Sequence, residues 1–256
     1  MKASNFDIQS YFSRIGYNET ASADFATLKS MMRCQLFSVP FENLDVQGKK
    51  GVSLVPEDIY VKIVERGRGG YCYEVNGVFA MALEALGIPY QFIAARPMFY
   101  PVRRPKTHMA IIATLDGEQW LCDLGFGSYG IREPINLNWL DREIRQDFDK
   151  FKLSGSSEHD YLLQAFTGEN WVNQYEFNLC PQEWIDFAPA NYMNSTHPDA
   201  VFVQKLLIVK HNPSGREILF GDRLKSVSEG RTEEAMIRPE EIPLLLQERF
   251  SLSYQP

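Results

Sequence analysis

Long apolar runs are missing from this chain: no stretch of about 18 residues is apolar enough to cross a bilayer as a helix. Residues 1–7 lead into an amphipathic pattern and not into an uninterrupted signal-type core, so a cytoplasmic protein is expected. Cysteine and histidine are scarce. The four cysteines at 34, 72, 122 and 180 are widely spaced, include no C-x-x-C pair and stand beside only four histidines. That excludes a disulfide framework and the usual zinc spacings, and leaves reduced thiols as the default. A positive footprint is lacking as well: the net charge of −7 argues against nucleic acid or an acidic membrane as a partner. Internal repeats and low-complexity tracts are absent.

What is present is a chain of 256 residues, long enough to bury a sizeable core as one body or two to three small lobes. Basic residues gather in one place. Arg96, Arg103, Arg104 and Lys106 could meet an anionic cofactor, although charged loop residues are ordinarily just solvated.

The first part reads as helices. Ile8, Tyr11, Phe12 and Ile15 fall at helical spacing, with Asn5 as the expected cap and Gly16 as the stop. A second apolar face runs Phe25, Leu28, Met32 and Leu36 before Pro40, and a third helix begins at Pro56 with Glu57 and Asp58 in its first turn. A fourth, amphipathic helix follows Cys72, buries Val75, Phe79, Ala82 and Leu86, and stops at Gly87. The period then changes to two. Strands are expected at 90–96, 109–115, 119–124, 161–166 and 171–178, and further on at 205–210 and 217–220, with a helix at 239–250.

Residues 66–77 read Arg-Gly-Arg-Gly-Gly-Tyr-Cys-Tyr-Glu-Val-Asn-Gly, which puts Cys72 where a glycine-rich turn enters the fourth helix. A helix N-terminus, a neighbouring cation or an imidazole pulls a thiol down from about 8.5 toward the nucleophilic thiolate. Unpaired N–H groups in the first turn can also serve a developing oxyanion. The competing reading is a small buried hydrophobe beneath a tight turn.

The remaining candidates follow from one hairpin. Asp116-Gly117 is a favoured type I′ pair between the strands at 108–115 and 118–124. If it sets the register, Leu115 faces Glu118 and Ala110 faces Asp123, which makes His108 and Asp123 diagonal neighbours on one face. Cys122 has the opposite parity and belongs to the core. A carboxylate that holds one imidazole nitrogen supports the cation formed when the ring takes a proton from sulfur. Cys72, His108 and Asp123 thus form a candidate thiol–imidazole–carboxylate triad.

At these residues the chain resembles the arylamine N-acetyltransferases. The matching pieces are Val39-Pro40-Phe41-Glu42-Asn43-Leu44, Arg68-Gly69-Gly70-Tyr71-Cys72-Tyr73-Glu74-Val75-Asn76, Thr107-His108-Met109, Cys122-Asp123-Leu124-Gly125-Phe126-Gly127 and Ser195-Thr196-His197-Pro198. The resemblance implies an α+β fold with a cysteine-protease-like core: a helical bundle over 1–87 carrying the nucleophile, an antiparallel β-barrel over 88–190 carrying His108 and Asp123, and an α/β lid over 191–256. It implies ping-pong transfer of acetyl from acetyl-coenzyme A to an arylamine, arylhydrazine or N-hydroxyarylamine, without a metal. Cys72 would be the acetylated nucleophile, His108 its base and Asp123 the orienting acid. Phe41 and Phe126 resemble the family's slot-lining aromatics, and Gly127 and Ser128 its close-approach turn toward the coenzyme. Two departures are a tail that ends at Pro256, shorter than in many relatives, and Cys122 where an aliphatic residue is expected. An amide hydrolase or amide synthase with the same triad, and a catalytically silent binding protein on the same scaffold, are the alternatives.

Overall fold

The computed structural model describes residues 1–157 and 160–253. The N-terminal part is helical, as the apolar spacing predicts. It comprises α1 (Ile8–Ile15), α2 (Phe25–Ser38), a two-residue strand β1 (Phe41–Glu42), the short α3 (Leu44–Gln47), α4 (Pro56–Tyr60) continuing through a π turn at Val61–Glu65, and α5 (Cys72–Ala85). Asp7, not Asn5, caps α1, its carboxylate accepting the Ser10 N–H at 2.7 Å. Only a residue immediately before the first turn reaches those unpaired donors. Gly16 closes the helix in the left-handed region at φ 71°.

α5 departs from the amphipathic expectation. All residues from Cys72 to Leu83 are buried, while Leu86 beyond its end is only half-buried. The helix runs between the other helices and the sheet described next, so every side of it is covered. Arg14 of α1 fixes the chain leading into it. Its guanidinium donates to the carbonyls of Ile63 at 2.8 Å, Ser38 at 2.9 Å, Arg68 at 3.1 Å and Gly67 at 3.2 Å, which gathers several chain ends around one cation.

The strands that follow are β2 (Tyr90–Pro97), β3 (His108–Leu115), β4 (Glu118–Cys122), β5 (Ile135–Asn136), β6 (Ile144–Gln146), β7 (Asp149–Ser157), β8 (Asp160–Phe166) and β9 (Trp171–Asn178). They form one antiparallel sheet of eight strands in the order β5-β4-β3-β2-β9-β8-β7-β6. It is a curled half-barrel: the antiparallel sheet is as expected, and the barrel is left open. Its edges, β5 with two residues and β6 with three, are too short to supply a closing ladder.

A 3-10 turn at Trp184–Phe187 leads to α6 (Ala188–Thr196) and α7 (Val201–Gln204), followed by β10 (Leu207–Asn212), β11 (Gly215–Phe220), β12 (Arg223–Ser228), β13 (Arg231–Met236) and α8 (Ile242–Phe250). The second sheet has the order β1-β10-β11-β12-β13 and takes its first strand from the N-terminal part, with Phe41 opposite Val209 and Glu42 opposite Ile208. α8 packs Leu246 and Phe250 against Ile208, Leu219 and Leu224 of that sheet. Among the described residues no helix is long and apolar enough to cross a membrane.

Candidate active site

The β3–β4 hairpin has the expected register. Leu115 faces Glu118 and Ile111 faces Cys122, and Asp116 and Gly117 both have positive φ, at 51° and 77°, as a type I′ turn requires. Beyond the last pair, His108 and Asp123 meet: Nε2 of the ring lies 2.7 Å from Oδ2 of the carboxylate, and both residues are buried. Oδ1 of Asp123 accepts the Gly125 N–H at 2.9 Å and the Asn76 amide at 3.2 Å, so the acid is held from three directions.

Cys72 opens α5 and lines the same cavity as His108, with its side chain against the imidazole. Burial alone lowers the pKa of the ring, but the Asp123 carboxylate and Cys72 outweigh it and lift His108 to about 10. Cys122 is not among the residues that line this cavity. It is fully buried, its Sγ faces the Trp120 carbonyl at 3.7 Å, and burial reinforced by Asp123 pushes its thiol well up, so it is an inert core residue as parity predicted.

Two features bring sulfur and imidazole together. The end of β4 approaches the start of α5 so closely that a Cβ on Gly125 would lie 2.4 Å from Cys72 Cα; only glycine permits the approach. The turn before Cys72 is braced by ions. Lys62 Nζ lies 2.6 Å from Glu74 and 2.7 Å from Asp45, and Arg68 reaches Glu42 at 2.7 Å. Glu74 in turn accepts the Tyr71 N–H at 3.1 Å, directly before Cys72.

The cavity holds about 340 Å³ and is mostly apolar. Phe41 and Phe126 line it, as do Gly127 and Ser128. Phe126 packs edge-on against the His108 ring at 5.2 Å. The missing side chain of Gly127 makes room for Phe41, whose ring atoms would lie 2.7 Å from a Cβ there. Within the protein, then, the close approach at Gly127 is to an aromatic ring.

Sequence reasoning passed over two residues of the site. Asn76 stands one turn after Cys72 on α5; besides Asp123 it donates to the Met109 carbonyl at 2.8 Å and accepts the Leu124 N–H at 2.9 Å, tying helix, β3 and the end of β4 together. Its i+4 spacing from Cys72 was a usable signal. Tyr175 of β9 is fully buried with its ring 5.0 Å from His108, and burial together with the Asp123 charge pushes its phenol well up. Nothing local marks it, because it arrives through the pairing of β9 with β2 opposite Pro97.

Comparison with known proteins identifies the family. A family model described as N-acetyltransferase matches residues 24–255. The arylamine N-acetyltransferase of Escherichia coli is 30% identical over 247 residues, covering 94% of this chain and 87% of that protein. Among solved structures, the Nocardia farcinica arylamine N-acetyltransferase superposes with a TM-score of 0.92 at 30% identity, covering 98% of this chain and 91% of that one. The Mycobacterium marinum enzyme in complex with CoA gives 0.90 at 28% identity, covering 96% and 92%. The chain belongs to the arylamine N-acetyltransferases, and it is an acyltransferase.

Proposed function

We propose that the chain carries acetyl from acetyl-coenzyme A to the nitrogen of an arylamine, arylhydrazine or N-hydroxyarylamine in two half-reactions, through an acetyl-cysteine at Cys72. The observation that carries this reading is the 2.7 Å contact of His108 with Asp123 in the cavity that Cys72 also lines. Because Asp123 occupies Nε2, Nδ1 of His108 is left to serve the thiol. In the first half-reaction the imidazole takes the thiol proton, sulfur attacks the acetyl carbonyl, the coenzyme's carbon–sulfur bond breaks, and the proton passes to the departing thiolate. In the second, the amine attacks the acetyl-cysteine, gives a proton to His108, and releases sulfur as thiolate. The backbone N–H groups of Cys72 and Tyr73 have no acceptor among the described residues and are the donors for the oxyanion of either step.

The M. marinum structure with CoA supports the donor. Phe41 and Phe126 give a weakly basic, uncharged aromatic amine apolar surface to bind against, with Gly127 and Ser128 beside the coenzyme. Four free cysteines accord with a reducing, cytoplasmic location. Incubated with acetyl-coenzyme A and no amine, the protein is expected to gain one acetyl group at Cys72, read by intact mass and peptide mapping, and to lose it when aniline is added. Absence of the adduct, or faster turnover of a peptide amide than of any arylamine, would give the site to an amide hydrolase or synthase instead.

A further inference from the structure

We propose that Tyr73 and Asn194 are positioning residues that hold His108 to Cys72 through one shared acceptor, the Thr107 carbonyl; this deepens and rests on the acetyl-transfer reading above. Thr107 directly precedes His108, the first residue of β3. Its carbonyl accepts the Tyr73 hydroxyl at 2.8 Å and the Asn194 side-chain amide at 2.9 Å. Tyr73 is the residue after Cys72 on α5, and Asn194 belongs to α6. One hydrogen bond therefore joins the neighbour of the sulfur to the neighbour of the imidazole, and a second ties both to a helix of the C-terminal part.

The Asp123 carboxylate fixes Nε2 of His108, but a ring held at one nitrogen can still pivot about that contact. Where Nδ1 falls is then decided by the backbone that carries the ring, which begins with the peptide between Thr107 and His108. A single donor satisfies a carbonyl; this one receives two, which occupies both lone pairs and fixes the plane of that peptide. α6 reaches the other side of Cys72 as well. Asn191, one turn before Asn194 on the same helix face, accepts the Tyr71 hydroxyl and donates to the Val52 carbonyl at 2.9 Å. Both asparagines are buried, and burial, with the Cys72 side chain adding to it, pushes the Tyr73 phenol well up, so that it remains a donor. Asn194 lines the cavity with Thr107, whereas Tyr73 does not, so Tyr73 can affect the reaction only through the residues it holds.

The test is a single turnover: enzyme acetylated with acetyl-coenzyme A, freed of the donor and mixed with aniline, with the acetyl-enzyme followed by intact mass. The amplitude reports how much enzyme is folded and loaded, while the rate constant reports the geometry of what is loaded, so a merely structural role moves only the first. Tyr73→Phe keeps the ring contacts with Tyr71 and Phe187 and loses one hydroxyl. It and Asn194→Ala are each expected to lower the maximal rate constant about threefold or more at an unchanged half-saturating aniline concentration. The double variant is expected to depart from the product of the two single effects by about threefold or more, because both act on one carbonyl. A smaller change of the rate constant in the single variants overturns the proposal, as does an effect confined to the half-saturating concentration, which would assign Asn194 to aniline itself. So does a double variant that equals the product; if the double variant does not fold, the single variants decide. Iodoacetamide alkylation of Cys72 gives a reading that needs no acetyl. A wild type that takes up no acetyl removes the transferase reading, and alkylation no slower in Tyr73→Phe than in wild type then removes the positioning role separately.

Discussion

His108 is a buried ring pulled in two directions. Its surroundings favour the neutral form, while the carboxylate at 2.7 Å and the neighbouring sulfur favour the cation, and the cation wins with a pKa of about 10. At neutral pH such a ring is protonated and sets a positive charge beside the Cys72 side chain. Asp123→Asn keeps a hydrogen-bonding group but removes the charge, so burial then acts unopposed by it and the ring gives up its proton. Alkylation of Cys72 by iodoacetamide at pH 7 is expected to slow by about 10- to 100-fold, because the charged partner beside the sulfur is lost. Unchanged kinetics in that variant would mean that the thiol does not depend on the pair. The pair itself was legible in the sequence, since a two-residue turn counts registers on both strands at once. The Lys62 and Arg68 ion pairs were not, because their carboxylates come from β1, α3 and α5 and meet only through the fold.

Elements were legible to the extent that they bury one face. The face of α2 and the Gly16 stop of α1 follow from apolar spacing and its punctuation, although the cap of α1 falls at Asp7 and not at Asn5, and β9 was found with its ends intact at Trp171–Asn178. β13 was not found, because all six of its residues are exposed and no alternation marks it. β7 alternates only at Phe151 and Leu153 before small polar residues erase the pattern. The close crossing of β4 and α5 was equally invisible, although Gly125 was in plain view. Gly125→Ala would press a methyl group on the backbone of Cys72, which cannot rotate away. Urea unfolding is expected to show a loss of about 1–3 kcal/mol, with acetyl loading at Cys72 impaired in the protein that remains folded. A variant as stable and as readily acetylated as wild type would show that the crossing yields without cost.

At the scale of the molecule, the two sheets are joined by buried charge. Arg132 donates Nε to Asp149 at 2.7 Å and Nη1 to Asp147 at 2.8 Å and to the Asn212 carbonyl at 2.9 Å, while Arg216 of β11 grips Asp149 through two bonds at 2.9 and 3.0 Å. His211 is buried beside them and held neutral by burial and by both guanidinium charges. Asp149→Asn would leave two fully buried guanidinium groups without their shared countercharge. It is expected to cost about 3–5 kcal/mol in urea unfolding, against far less for replacing all three residues with apolar ones. A small loss in the single variant would show that solvent or relaxation reaches the cluster. The join has a second strand to it in β1, which pairs with β10 on one side and bridges Gly70 through Phe41 on the other, two residues from Cys72. The second sheet is therefore sewn to the turn before α5: to swing away from the cavity it would have to unzip β1 from β10 or tug Cys72 out of alignment.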